Sequence, residues 1–176
     1  LICGFLGCDE RPFNPLLSAL PATIHLGSTG TASSGWLSTL LQIAASESGR
    51  TSAGAENVLA RLSELMFVES IRRYLAALPD TERGWLAGLR DDLVGRALGA
   101  LHGVPAHGWT VETLARAVGA SRSVLAERFT QLVGQPPMQY LALWRMQLAA
   151  RALTDGQSVA EVAHTVGYES EAAFSR

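Results

Sequence analysis

The chain has 176 residues, 48% hydrophobic and 17% charged, enough for one domain or two small ones sharing an interface. That apolar content excludes disorder over most of the length, and no apolar run approaches the ~18 residues of a membrane span. Fourteen Arg, no Lys and sixteen acidic residues leave a net charge of −2, so no global basic field announces a nucleic-acid partner. Two Cys make no disulfide framework and nothing reads as a signal peptide, which suits a reducing, cytoplasmic setting. The first residue is Leu1 rather than Met, and Arg176 stands inside a helical pattern. Both ends are therefore expected to be cuts in a longer protein.

Residues 1–26 read as short pieces. Residues 1–6 have strand-like composition, broken by Gly4 and Gly7, and Pro12, Pro15 and Pro21 punctuate the remainder. One or two helical turns are expected over 15–20, and another short strand over 24–26. The run GSTGTASSG at 27–35 has nothing in it to bury.

From Trp36 the period becomes helical, with Leu37, Leu40, Leu41 and Ala44 recurring at three and four. The longest helix signal covers 56–78. Val58, Leu62, Leu65, Val68, Ile71, Leu75 and Leu78 form its stripe, while Met66, Phe67 and Tyr74 extend the apolar surface beyond it. That extra surface marks those three residues as candidates for a dimer interface, the alternative being a central helix buried within its own domain. A further single helix is expected over 84–101, ended by Gly103 and Pro105.

Residues 109–134 carry the informative pattern. Thr110 is a good N-cap with Glu112 in the first turn, and Val111, Leu114, Ala115 and Val118 face one way. Gly119 suits a tight helix exit, and Ser121 caps a second helix whose Val124, Leu125, Phe129 and Leu132 face inward. Two short helices around a glycine turn make a helix-turn-helix. The pattern returns 48 residues later: the capping box Ser158-Val-Ala-Glu161, then Val162, Ala163, Val166 and Gly167, then Ser170 to Arg176. Its turn has one extra residue. Between the copies, 137–153 is a single helix starting at proline. A ~17-residue helix is ~25 Å long, which would hold the two recognition helices roughly one DNA turn apart.

The stretches WTVETLARAVGASRSVLAERF, GQPPMQYLALWRMQLAARAL and SVAEVAHTVGYESEAAFSR resemble the DNA-binding domain of the AraC/XylS transcriptional regulators. The earlier CGFLGCD, FNPLLSALP, ENVLARLSELMFVESIRRYL and GWLAGLRDDLVGRALGALH resemble the subgroup with an N-terminal cupin-like sensor domain. The resemblance implies a mainly α protein (α+β overall). A remnant of a cupin-like β-barrel with a helical, dimer-forming appendage would occupy 1–88, and an all-α double helix-turn-helix domain 89–176. The family's closing helix is absent after Arg176.

By that resemblance Arg122, Ser123, Ala126 and Glu127 touch bases or phosphates, and Glu171, Ala172 and Arg176 match them in the second copy. Arg122 suits phosphate or guanine, Ala126 offers only a methyl contact, and Glu127 accepts from cytosine N4. The alternative is an ordinary solvated helix face. Cys3 and Cys8, spaced C-x4-C, are weak redox or zinc candidates, or simply two small side chains buried in a barrel strand. His102 and His107 flank a turn and are expected to be solvated; Trp36, Trp85, Trp109 and Trp144 suit core packing. No nucleophile elbow, phosphate loop or HExxH is present, and no cofactor is implied. The expectation is a bacterial homodimeric regulator of promoter DNA, with no membrane partner. It would answer to a small-molecule or oxidant effector and act on RNA polymerase. Its rival is a cupin-type metal enzyme or sensor with a DNA-binding tail.

Overall fold

The computed structural model describes residues 7, 12–26, 33–49, 53–79 and 84–175. Among them are ten helices and no strand, and they fall into two compact units. One lies within 21–78, with Gly7; the other joins 12–20 to 79–175. The division at 78/79 falls ten residues before the boundary expected at 88/89.

The first unit is a helical hairpin. Helix α1 (Pro15–Ala19) belongs to the second unit, so the hairpin is α2 (Ser33–Ser48) against α3 (Ala55–Ala77), joined through 49–54. Leu40, Ala44 and Leu62 are buried between them, with Leu59 and Met66 packed alongside. Glu69 is also buried, and its carboxylate accepts a hydrogen bond from Arg73 Nε, one turn on, at 3.1 Å. The expected stripe on α3 is only partly right. Val58, Leu65 and Val68 are exposed, because α3 turns Leu59, Leu62 and Met66 toward α2 instead. A helix apolar on more than one face does not reveal from its own period which face meets a neighbour. Trp36, expected in a core, is 51% exposed.

The second unit contains α1, α4 (Trp85–Arg90), α5 (Asp92–Gly103), α6 (Val111–Ala117), α7 (Arg122–Val133), α8 (Pro137–Thr154), α9 (Val159–Thr165) and α10 (Glu171–Phe174). The single helix expected over 84–101 is two. Asp91 breaks it: with ψ at 125° it leaves the helix, and its Oδ1 accepts from the amides of Leu93 (3.1 Å) and Val94 (2.9 Å) to start α5 afresh. Val94, Leu98 and Leu101 of α5, Leu114 and Ala115 of α6, Leu125 and Phe129 of α7 and Tyr140 and Leu141 of α8 form one core. A second core is smaller and holds Ala149, Val162 and Val166. Thus α8 roots its first half in one core and its second half in the other.

Tyr140 is fully buried at the centre of the first core. Its hydroxyl accepts from Trp85 Nε1 at 2.9 Å and lies 2.7 Å from His102 Nε2. With the Trp85 proton accepted, the hydroxyl proton is free to go to His102, which then receives it as a neutral ring. His102 is therefore half-buried and hydrogen-bonded, not solvated as expected; its ring stacks on Trp144 at 4.3 Å. Burial pushes its pKa down and pushes that of the Tyr140 hydroxyl up.

Residues 12–20 dock beside this cluster. The Phe13 amide donates to Gln147 Oε1 at 2.8 Å, its ring meets Tyr140 edge-on at 5.5 Å, and α1 packs on α4. Of the expected barrel remnant, only the strand over 24–26 falls on described residues, and there it is not formed. Residues 24–26 are irregular, and there is no strand among the described residues for them to pair with. The strand-like residues 1–6, both cysteines Cys3 and Cys8, and Arg176 lie outside the described residues.

Candidate nucleic-acid interface

The two turns repeat bond for bond. In the first, the Gly119 amide donates to Arg116 O (3.2 Å) and the Ala120 amide to Ala115 O (2.9 Å). In the second, the Gly167 amide donates to His164 O (3.1 Å) and the Tyr168 amide to Ala163 O (2.8 Å). This is the Schellman pair of bonds, and it needs the positive φ that Gly119 (72°) and Gly167 (92°) supply. Thr110 and Ser158 each close a capping box at the entrance of α6 and α9, and Ser121 and Ser170 cap α7 and α10. The sequence pattern thus becomes the same two-helix corner twice, with Leu114–Ala115 and Val162–Ala163 buried at matching places.

Helix α7 buries Leu125 and Phe129 and leaves Arg122, Ser123 and Glu127 exposed on the other side; Ala126 between them is half-buried. Val124, expected inward, is 51% exposed. The outward face is held in place by two ion pairs. Arg122 Nε lies 2.9 Å from Glu112 Oε1 on α6. Arg128 donates through Nε (2.7 Å) and Nη2 (2.6 Å) to the Asp91 Oδ2 that the α5 cap leaves free. Burial alone would raise the Asp91 carboxyl, but Arg128 and the Val94 and Leu93 amides hold it below its usual value. Arg128 is thus a tie between α7 and α5, and Arg96 Nη2, donating to Val118 O at 3.1 Å, ties α5 to the end of α6. In the second copy Glu171 and Ala172 are exposed at the start of α10, whose Phe174 packs edge-on against Tyr168 at 5.4 Å.

Three features escaped the sequence. The docking of Phe13, the Trp85–Tyr140–His102 chain and the contacts of Arg145 on α8 all join residues far apart in the chain, and local spacing carries no sign of them.

A family profile described as a helix-turn-helix domain matches residues 114–176, and one described as cupin matches residues 1–76. An AlkR of Acinetobacter baylyi, an HTH-type transcriptional regulator, is 37% identical over 173 residues, 96% of this chain and 55% of that protein. A Streptomyces antibioticus protein described as an AraC-like transcription regulator is 49% identical over 119 residues, 67% of this chain and 39% of its own. The chain belongs to the AraC family. The RCS-specific HTH-type transcriptional activator RclR of Escherichia coli is 27% identical over 178 residues, 62% of its length. This AraC-family chain therefore spans about 39–62% of these curated relatives. No solved structure matches it. Among the described residues no helix is long and apolar enough to cross a membrane, and no three His, Cys, Asp or Glu side chains gather as a metal site.

Proposed function

We propose that this chain is the output half of a sequence-specific, DNA-binding transcriptional regulator rather than an enzyme. The observation that carries the reading is the duplicated corner on one helix: two capped, glycine-turned helix pairs rooted in the two ends of α8. A helix of 18 residues is ~27 Å long, the scale of one turn of DNA, so α7 and α10 would enter successive major grooves. Ser123, Ala126 and Glu127 would meet base edges and Arg122 a phosphate, with Glu171, Ala172 and Arg176 as their counterparts.

The regulator would work as a cytoplasmic homodimer. The hairpin would supply the contact through the exposed Val58, Leu65 and Val68 of α3; of the three residues first marked for it, Met66 is turned toward α2, and Phe67 and Tyr74 lie on another side of the helix. A small molecule or an oxidant at the cupin-like part, where Cys3 and Cys8 stand, would shift the affinity for promoter DNA and recruitment of RNA polymerase. Residues 12–20 offer a route, being bracketed in sequence by the first unit yet packed in the second.

Selection of bound DNA from a random pool with the full-length protein tests the reading. Enrichment of two half-sites about 10 bp apart is the expected result. A pool that gains no common sequence overturns it.

A further inference from the structure

The two corners are alike in sequence, yet their glycines meet different surroundings. A Cβ on Gly119 would find nothing within 4 Å. On Gly167 it would stand 2.6 Å from Ala106 O, 2.7 Å from Ala106 Cα and 2.9 Å from Arg145 Nη2. The turn of the second motif is therefore pressed against the 104–110 loop that leads into the first. Arg145 locks this meeting point from α8, midway between the two cores. Its Nε donates to Pro105 O at 2.8 Å and its Nη2 to His107 O at 2.9 Å, while its guanidinium lies 5.6 Å from the centre of the Tyr168 ring. The loop it grips is stiff in itself: the His107 amide donates to Val104 O, the Trp109 amide to His107 O, and Trp109 Nε1 to Val104 O. A planar fork reaches two carbonyls and a ring face together, which a lysine head does not.

We propose that Arg145, seated on Gly167, sets the distance and phase between the two recognition helices and thereby decides which half-site spacing the protein accepts. It is a positioning residue and touches no base. The proposal rests on the two-groove reading above. One base pair more or less between half-sites moves the second by about 3.4 Å and about 34° around the duplex. A rigid pair of motifs cannot follow that shift, whereas a hinged pair can.

The test uses the full-length protein and its selected site, rebuilt with one or two base pairs added or removed between the half-sites, beside a single half-site for the first motif. Wild type is expected to prefer one spacing by about tenfold or more. Arg145→Ala is expected to flatten that preference to within about threefold, with single-half-site affinity and helicity kept. Arg145→Lys should fall between. Folded variants with the wild-type spacing profile overturn the assignment, as does a wild type that binds every spacing equally. A wild type that binds no DNA at all would instead remove the functional reading beneath it.

Discussion

The guanidinium of Arg122 lies 2.9 Å from the carboxylate of Glu112, tying the first turn of α7 to the first turn of α6. Both side chains are exposed, so the pair adds little stability; its effect is on position. Hydrogen bonding to its own amide, the Thr110 hydroxyl and the Arg122 charge keep the Glu112 carboxyl below its usual value, so it is ionised at neutral pH. A phosphate reaching Arg122 must approach that negative charge. Glu112→Gln should therefore strengthen binding to all DNA sequences alike, by a few-fold, and Arg122→Ala should weaken all alike while lowering the salt slope by about 1. Titrations at several salt concentrations read both; an unchanged slope for Arg122→Ala would release Arg122 from the phosphate.

Ser123 and Glu127 share the exposed side of α7, opposite Leu125 and Phe129. Alanine at either should change the preferred base at one or two half-site positions, each good contact being worth ~1–3 kcal/mol of discrimination. Repeating the DNA selection with each variant is the check. An unaltered consensus from both would mean that α7 does not enter the groove on this face.

Tyr140→Phe leaves the Trp85 N–H and the His102 ring without their shared partner inside the first core. Stability should fall by ~1–3 kcal/mol, the usual cost of stranding a buried polar group. The same cluster gives a pH dependence. Burial depresses the folded-state pKa of His102 below its ordinary 6.5, so the unfolded chain binds the proton more readily. The contribution is complete above about pH 6.5 and is lost as pH falls through the lower folded value. Thermal unfolding from pH 8 to 5 should show the loss, and His102→Phe should blunt it. Equal slopes for wild type and variant would place the dependence elsewhere.

Val58, Leu65 and Val68 are exposed on α3 although they are as apolar as its buried positions. If this face joins two copies, Leu65→Glu and, separately, Val68→Glu should each give a monomer of retained helicity. Light scattering with circular dichroism distinguishes this from unfolding. A dimer that survives both would remove the hairpin from the interface.

Phe13 and Gln147, 134 positions apart, are joined by a backbone-to-side-chain hydrogen bond of 2.8 Å. Phe13→Ala also removes the edge contact with Tyr140, an interaction of ~0.5–1.5 kcal/mol beyond its area. Hydrogen exchange over 137–147 and in α4 should quicken in Phe13→Ala and in Gln147→Ala. Protection at wild-type levels would show that 12–20 merely rests on the second unit and transmits nothing to it.

Much of the second unit is legible in the order of its residues. Thr110, Ser121, Ser158 and Ser170 cap their helices as their side chains and positions indicate, and Gly119 and Gly167 take the left-handed conformation of a helix exit. These are effects of neighbours within a few residues. The break at Asp91 is not legible, because an Asp followed by apolar residues at helical spacing reads equally as helix interior and as cap. Arg128, 37 positions on, settles it by drawing the other carboxylate oxygen to α7.

Local chemistry along the chain set where most helices start and stop and that one corner occurs twice. Those outcomes rest on hydrogen bonds and periodicities spanning four residues or so, which the chain carries wherever it is placed. Packing alone chose the face of α3 that meets α2, laid Phe13 on Tyr140, and pressed Gly167 on Ala106 under Arg145. Each of those depends on what a surface finds opposite it. A carbonyl such as Pro105 O becomes the partner of Arg145 only after two separate cores have brought 40 residues of chain back to the same point.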